Sequence, residues 1–189
     1  MPSTPEPSAR RAGDHPAAAP RGYVLPPGVG RHIRTSSDLT IKASGDRGGA
    51  EFAFVENVVP GHWSGRGPHF HRRHEELFYV VEGELQFLLD GETVGAPAGT
   101  FVGVPPGVVH AFRNLTGVTA RWVGTIAPHD FEEYFARLSE ILARPGGTRP
   151  WVVAAALGEP EHEAIARLRE EFDTEEVDVP QWREGESAV

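Results

Sequence analysis

The feature that most constrains this chain is the regular spacing of turn residues between residues 51 and 125. Short apolar segments there are separated by turn-forming groups such as Asp90-Gly91 and Pro105-Pro106-Gly107. Strands that recur at intervals of about 8–12 residues are typical of antiparallel sandwiches and small barrels. The 22 Gly and 17 Pro among 189 residues suit tight turns better than long helices. The sequence therefore predicts an all-β domain.

The composition excludes several classes of function. The chain contains no Cys, which excludes disulfides, thiolate metal sites and iron–sulfur clusters. The net charge is −9, and no basic face is evident, so nucleic acid is not expected as a partner. No apolar run reaches the roughly 18 residues of a membrane span, and no signal-peptide pattern begins the chain. We therefore expect a cytoplasmic protein with no membrane partner.

The apolar pattern divides the chain into four predicted segments. The first has many prolines and few apolar residues, so a disordered tail is expected. The second carries the predicted strands of a barrel, the third changes to helical spacing and is expected to pack on the barrel, and the fourth is a short tail. The predicted boundaries are 1–20, 21–128, 129–182 and 183–189.

Helical spacing begins directly after the last predicted strand. Apolar residues recur every three or four positions over residues 131–142, which predicts an amphipathic helix. Asp130 and Glu133 stand three residues apart at its start, and this spacing predicts a capping box. Pro145-Gly146-Gly147 is expected to stop the helix, and Pro160 is expected to open a second one.

Three histidines and one glutamate fall where strand geometry can bring them together. His69 and His71 are two residues apart, so on a strand both imidazoles project from one face. Glu76 opens the next predicted strand, and His110 begins the strand that follows the Pro-Pro-Gly turn. Three imidazoles and one carboxylate favour a divalent ion such as Fe, Mn, Co, Ni, Cu(II) or Zn, with coordination positions left for water or substrate.

The polar residues between these candidates receive a different interpretation. His74 and Glu75 lie in the polar turn that precedes Glu76, and both are interpreted as facing solvent. A His-x-His pair by itself is also compatible with an exposed or hydrogen-bonded pair, so the spacing of one pair alone leaves that alternative open.

Two longer motifs resemble those of the cupin superfamily. They read His69-x-His71-x4-Glu76-x6-Gly83 and Gly99-x5-Pro105-x-Gly107-x2-His110-x3-Asn114. Where these proteins usually have a glycine six residues before the first histidine, this chain has Trp63, flanked by Gly61 and Gly65. The resemblance implies a jelly-roll barrel, also called a double-stranded β-helix, and one divalent ion per chain held by the four candidate ligands.

The segments outside these motifs resemble a narrower group, the small bacterial quercetin 2,3-dioxygenase-like cupins. Residues 127–135 are similar to the helix at the barrel exit of that group, and residues 166–180 to its C-terminal tail. Phe172-Asp173-Thr174 stands in place of the usual aromatic–glycine turn. This resemblance implies a metal-dependent oxygenase that acts on a flavonol-like or polyketide phenol with O2, in which Glu76 is both metal ligand and base.

The candidate substrate pocket consists of apolar residues on the strand faces of the ligands and on the facing strand. They are Phe52, Phe54, Phe78, Val80 and Phe112. The alternative for each of them is ordinary barrel core. Leu77, Tyr79 and Val81 are expected to point outwards, and because cupins of this type usually pair, a homodimer is expected.

Two other functions are compatible with the same residues. One is a non-oxidative metal cupin, such as a cyclase, isomerase or dehydratase that tailors a natural product, in which Glu76 acts as acid and base. The other is a ligand-binding regulatory cupin. Consumption of O2 during turnover distinguishes the oxygenase from the first alternative, and any catalytic turnover distinguishes it from the second.

Overall fold

The computed structural model describes residues 22–35, 37–45, 50–143 and 159–184. The predicted N-terminal tail, the predicted helix stop at 145–147 and most of the predicted C-terminal tail lie outside these residues. Within them the strands follow one another in the order β1 (Arg31–Arg34), β2 (Asp38–Ala43), β3 (Ala53–Val59), β4 (His69–His71), β5 (Glu75–Glu82), β6 (Glu84–Leu89), β7 (Glu92–Pro97), β8 (Phe101–Val104), β9 (His110–Arg113), β10 (Ala120–Ala127) and β11 (Thr174–Glu176).

The described strands form two antiparallel sheets. One sheet has the order β1-β2-β3-β10-β5-β8, and the other has the order β11-β4-β9-β6-β7. Neighbours in each sheet are mostly distant in sequence, as in a jelly roll. Buried side chains from both sheets meet in one apolar core, so the prediction of an all-β jelly-roll fold is confirmed.

Strand alternation determines which residues face that core. Along β10, buried positions alternate with partly buried ones from Ala120 to Ala127, and the buried set includes Trp122 and Ile126. A sheet with one face on the core and one face outward gives this period of two. Asn57 on β3 is directly opposite Trp122, and it is a polar residue on the inner face.

Three helices are present in the described residues, namely α1 (Phe131–Leu142), α2 (Glu159–Glu171) and α3 (Pro180–Glu184). The apolar faces of α1 and α2 form a second buried cluster together with Ile126 at the end of β10. Pro160 lies in the first turn of α2, where its missing N–H costs no helical hydrogen bond. Within the described part of the chain, no helix is long and apolar enough to cross a membrane.

The prediction of a capping box at the start of α1 is wrong. Asp130 occupies the N-cap position, but it has helical backbone angles and no side-chain capping bond. Its carboxylate instead accepts hydrogen bonds from His74 Nε2 at 2.8 Å and from the Arg73 guanidinium at 2.7 Å. These hydrogen bonds lower the pKa of Asp130 even though burial acts to raise it. The side chain therefore attaches α1 to the turn before β5.

The C-terminal segment packs against the second sheet. β11 pairs with β4, with Thr174 opposite His71. Trp182 on α3 is fully buried with Leu88 and Ala111. The Arg113 guanidinium lies 3.8 Å from the Trp182 ring centroid and donates to the Trp182 carbonyl at 2.8 Å, a combination of cation–π contact and hydrogen bond that holds the segment on the barrel.

Candidate metal centre

The two sheets bring together the four residues that the sequence predicts as metal ligands. His69 and His71 are the buried ends of the three-residue strand β4, so both imidazoles project from the same face. β4 pairs with β9 so that His69 is opposite His110. Glu76, the second residue of β5, comes from the other sheet.

The four side chains form a close and buried cluster. One candidate ligand atom from each lies within 4.8 Å of the others. Glu76 Oε2 accepts a hydrogen bond from His110 Nε2 at 2.9 Å and lies 3.7 Å from His71 Nε2. The ring centroids of His69 and His110 are 4.4 Å apart. Distances of this size allow all four groups to reach one ion after small side-chain adjustments.

Two of the imidazoles are oriented by backbone carbonyls. His69 Nδ1 donates to the Gly67 carbonyl at 2.9 Å, and His110 Nδ1 donates to the Val108 carbonyl at 3.0 Å. Because a carbonyl oxygen can only accept, both rings carry a proton on Nδ1. Their Nε2 atoms are the ones left to face the cluster.

The third imidazole is oriented by the C-terminal segment. His71 Nδ1 lies 2.9 Å from Thr174 Oγ1, and that hydroxyl donates to the Phe172 carbonyl at 3.3 Å. Because the hydroxyl proton is directed to the carbonyl, Oγ1 accepts from His71 Nδ1. His71 Nε2 is buried and has no hydrogen-bond partner among the described residues. An unpartnered nitrogen with its opposite nitrogen held in this way is the usual state of a ligating histidine.

Burial and neighbouring charges control the protonation of the cluster. Burial acts to raise the pKa of Glu76, but the hydrogen bond from His110 and the proximity of His71 hold it well below its usual value. Burial, together with the positive charges of His110 and Arg66, holds the pKa of His69 well below its usual value. Burial acts to lower the pKa of His110, but the hydrogen bond to Glu76 raises it. At neutral pH Glu76 is ionised and His69 is neutral, which are the forms that bind metals.

The residues present fit a divalent transition-metal ion. The cluster offers three imidazole nitrogens and one carboxylate oxygen, a donor set compatible with Fe, Mn, Co, Ni, Cu(II) and Zn. Each Nδ1–H bond provides the outer support that ligating histidines require. The unpartnered Nε2 of His71 gives the strongest indication, because a buried polar atom without a partner is costly unless a ligand satisfies it.

A cavity with a mainly aromatic wall opens beside the cluster. Its space is about 530 Å³ when the open solvent at its mouth is included. Besides the candidate ligands, the residues that line it are Thr35, Ser37, Leu39, Asn57, Trp63, Arg66, Phe78, Phe112, Trp122, Phe131 and Phe135.

The prediction that Phe52 and Phe54 line the pocket is wrong. Phe52 precedes β3 and is 42% exposed, whereas the inner face of the strand begins with the fully buried Ala53 and Val55. Apolar residues occupy both faces at this end of β3, so alternation in the sequence could not distinguish the inner face from the outer one.

Of the three other residues predicted to line the pocket, two lie in the cavity wall and one lies in the core. Phe78 and Phe112 line the cavity. Val80 shares the face of Phe78 on β5 but is not among the lining residues; it is fully buried in the core, in register with Trp122 on β10. The physical reason is distance along the strand, because Val80 is one further alternation away from Glu76.

The interpretation of His74 as a solvent-facing residue is also wrong. Its side chain is 1% exposed, and its ring centroid lies 4.7 Å from that of Phe131. The N-terminal end of α1 covers the turn and supplies Asp130 as the partner of His74. Glu75, the next residue, is exposed.

Three further residues line the cavity that the sequence did not predict there: Asn57, Arg66 and Trp122. Arg66 donates to the Tyr134 hydroxyl at 2.5 Å, and its guanidinium lies 5.3 Å from the Tyr134 ring centroid. A lone charged residue in a glycine-rich loop, three positions before the first ligand, was an available signal for Arg66. Asn57 becomes notable only once the inner face of β3 is known.

The comparisons with known proteins agree with the fold and the motifs. Residues 54–126 match the family model described as the cupin domain. These residues therefore contain a cupin domain. A solved structure described as a predicted oxalate decarboxylase from Thermotoga maritima is 22% identical, with a TM-score of 0.46, over 49% of this chain and 80% of that one.

Two curated relatives are similar to parts of this cupin. A quercetin 2,3-dioxygenase from Bacillus subtilis (strain 168) is 31% identical over 123 residues, which are 62% of this chain and 35% of that protein. The polyketide synthase CurC from Streptomyces cyaneus is 42% identical over 60 residues, which are 32% of this chain and 39% of that protein. The cupin thus spans less than two fifths of the length of either relative.

We predict that the cupin binds one divalent ion per chain at the four-residue cluster. Replacing His69 or His110 by Ala should reduce the metal content of the purified protein sharply, because each change removes one of four ligands. His162→Ala, on the exposed side of α2, is the matched control and should leave the metal content unchanged. Elemental analysis checks the result, and full metal content in the His69→Ala variant would contradict it.

A second prediction concerns Thr174. Thr174→Val keeps the β-branched shape but removes the oxygen that accepts from His71 Nδ1, so the affinity for the metal should fall by about 10-fold or more. Thr93→Val, on the exposed face of β7, should leave the affinity unchanged. Competition titration with a chelator measures the dissociation constants. Equal affinities in the Thr174→Val variant and the unsubstituted cupin would show that the hydroxyl does not support the ligand.

Proposed function

We propose that this cupin is a metal-dependent dioxygenase that acts on a flavonol-like or polyketide phenol together with O2. The observation that carries the proposal is the buried cluster of three imidazoles and one carboxylate in the wall of an aromatic cavity. The similarity to a quercetin 2,3-dioxygenase supports the same class of reaction and substrate.

The four candidate ligands lie in the cavity wall, so a metal ion bound there would act directly on a substrate in the cavity. A divalent ion held by His69, His71, Glu76 and His110 would supply Lewis acidity that favours the phenolate form of the substrate and a template that brings O2 beside it. The surrounding rings of Phe78, Phe112 and Phe131 exclude water and provide flat surfaces for an aromatic ligand.

Glu76 supports the removal of the hydroxyl proton. Burial acts to raise its pKa, but the hydrogen bond from His110 and the proximity of His71 hold it well below the usual value. The carboxylate is therefore ionised at neutral pH and can accept a proton from a phenol bound in the cavity.

The position and charge of Arg66 support a substrate that carries an acidic oxygen. Its guanidinium is fixed by the Tyr134 hydroxyl and lies in the wall of the same cavity as Glu76. Burial acts to lower the pKa of Arg66, but Tyr134 and, to a smaller extent, the charge of Glu76 raise it. A permanent positive charge in an aromatic cavity favours a phenolate or enolate over a neutral ligand of the same shape.

A non-oxidative reaction is the second candidate. The similarity to the polyketide synthase CurC over residues of this domain favours a tailoring step such as cyclisation, isomerisation or dehydration. The same donor set also suits Zn, and Glu76 would then serve as acid and base without O2. An oxygen electrode distinguishes the candidates, because only the dioxygenase consumes O2 in proportion to the phenol converted.

We predict that Glu76→Gln retains much of the metal but loses turnover by about two orders of magnitude or more, within the range for general acid–base groups. Gln can offer a carbonyl oxygen as ligand but cannot take a proton. Oxygen uptake with a panel of polyphenols, normalised to metal content, measures the effect. Glu75→Gln is the control, since Glu75 is exposed and adjacent in sequence.

Near-normal turnover in metal-replete Glu76→Gln protein would remove the base from this mechanism. Absence of oxygen uptake with every polyphenol in the unsubstituted, metal-loaded cupin would contradict the dioxygenase itself. Conversion of a phenolic polyketide without oxygen uptake would favour the non-oxidative candidate.

We also propose that the cupin is a homodimer that pairs through the outer face of β5 and β8. Tyr79 and Phe101 are opposite each other in this edge pair, and they are 46% and 63% exposed. Adjacent apolar side chains at the edge of a sheet favour association. A second copy would cover this patch.

Light scattering should give about twice the 20.5 kDa mass of one chain. Phe101→Glu places a charge in the patch and should yield a monomer. Val118→Glu changes an equally exposed apolar residue outside the patch and should leave the dimer intact. A monomeric mass for the unsubstituted cupin at micromolar concentration would contradict the proposal.

A further inference from the structure

We propose that Asn57 and Trp122 form a second polar subsite that binds a hydroxyl group at the end of the ligand remote from the metal centre. The inference rests on the proposed function for the phenolic class of the ligand. It goes further by assigning two residues that select among phenols and by specifying where the ligand must carry its second hydroxyl.

Asn57 and Trp122 are neighbours on the inner faces of adjacent strands. They are directly opposite each other in the pairing of β3 with β10. Side chains at directly opposite positions have Cβ atoms about 4.5–5.5 Å apart, so their polar ends can reach the same ligand group. Both residues line the cavity, and each is 4% exposed.

Both side chains leave a polar atom without a partner. Asn57 Oδ1 and Trp122 Nε1 are buried and make no hydrogen bond among the described residues. Most buried polar atoms in folded proteins are hydrogen-bonded, and an unsatisfied one costs stability. Two such atoms on facing residues of one cavity therefore indicate a ligand that satisfies both.

The chemistry of the two atoms identifies the group they would bind. Asn57 Oδ1 can only accept a hydrogen bond, and Trp122 Nε1–H can only donate one. A hydroxyl group does both, since it donates its proton to Asn57 and accepts from Trp122. Neither atom carries a formal charge, so the subsite suits a neutral phenol hydroxyl better than a carboxylate or an ammonium group.

The distance between the subsite and the candidate metal centre sets the length that the ligand must have. On β10, Ile126 is opposite Glu76 and Trp122 is four residues further along, which is about 13 Å along the strand at about 3.3 Å per residue. The rings of Phe78 and Phe112 also line the cavity, with centroids 4.7 Å and 5.7 Å from that of Trp122. The ligand is thus an elongated aromatic molecule with an acidic oxygen at one end and a neutral hydroxyl at the other.

A matched pair of probes tests the subsite. The probes are 3-hydroxyflavone and its analogue with one further hydroxyl at the far end of the outer phenyl ring. Calorimetric titration of the full chain, loaded with Zn and kept under nitrogen, measures both dissociation constants without turnover. The doubly hydroxylated probe should bind about 10-fold more tightly, the difference made by one well-formed pair of hydrogen bonds.

Two variants assign the preference to the subsite. Asn57→Leu should reduce the ratio of the two dissociation constants to about one, because the acceptor is lost, and Trp122→Phe should reduce it in the same direction. Thr125→Val is the matched control, since Thr125 lies on the outward face of β10 and should leave the ratio unchanged. Thermal unfolding adds a readout without ligand. Asn57→Leu should keep or raise Tm, because a polar atom without a partner is replaced by an apolar group.

Several outcomes overturn the proposal. Equal binding of the two probes by the unsubstituted cupin would mean that ordered water alone satisfies the pair. An unchanged ratio in Asn57→Leu would place the preference elsewhere, and a marked fall in its Tm would show a structural hydrogen-bonding role. Failure of both probes to bind would refute the phenolic ligand. If the unsubstituted cupin prefers the doubly hydroxylated probe but takes up no oxygen, only the proposed dioxygenase function is refuted. Failure of the subsite and failure of the proposed function are therefore distinguishable.

Discussion

Three hydrogen bonds at the outer nitrogens of His69, His71 and His110 fix the orientation of the imidazoles in the candidate metal centre. Their acceptors come from three separate parts of the chain: Gly67 in the glycine-rich loop, Val108 after the Pro-Pro-Gly turn, and Thr174 on β11. Each part must adopt its own turn for the imidazoles to converge on Glu76. The turn at Gly107, which has a positive φ of 88°, is tied to β4 by its N–H bond to the His71 carbonyl at 2.8 Å.

The dependence on Thr174 makes the C-terminal segment part of the candidate centre. Without β11, the strand that carries His69 and His71 would have an uncovered edge, and such edges favour aggregation. The turn into β11 is made by Asp173 at a positive φ of 51°, a conformation that Asp adopts more readily than most residues other than glycine. This explains how the chain forms the turn without a glycine at this position.

Spacing predicted the fold class and the grouping of the candidate ligands, because strand periodicity acts over a few residues. His69 and His71 needed only to be two apart on a strand, and the turn residues marked where each strand ends. The errors concern contacts between distant segments. His74 is buried only because α1 docks over its turn, and Asp130 leaves its capping role for the same contact. The predictions for Phe52 and Phe54 failed because apolar residues occupy both faces at this end of β3, and no local pattern specifies which face meets the second sheet.

The polarity of the cavity differs between its two ends, and this difference would orient a ligand of the proposed phenolic class. Arg66 and the candidate ligands lie at one end, where a divalent ion beside one ionised carboxylate would leave excess positive charge that a phenolate could neutralise. Asn57 and Trp122 lie at the other end and offer neutral hydrogen bonds, with aromatic walls between. Reversing an elongated phenol would place a neutral hydroxyl against the positive end and a desolvated anion against Trp122 and Asn57, which is costly in an apolar cavity. The cavity would therefore select both the chemical groups of the ligand and the direction in which the ligand binds, because one end is charged and the other is polar but neutral.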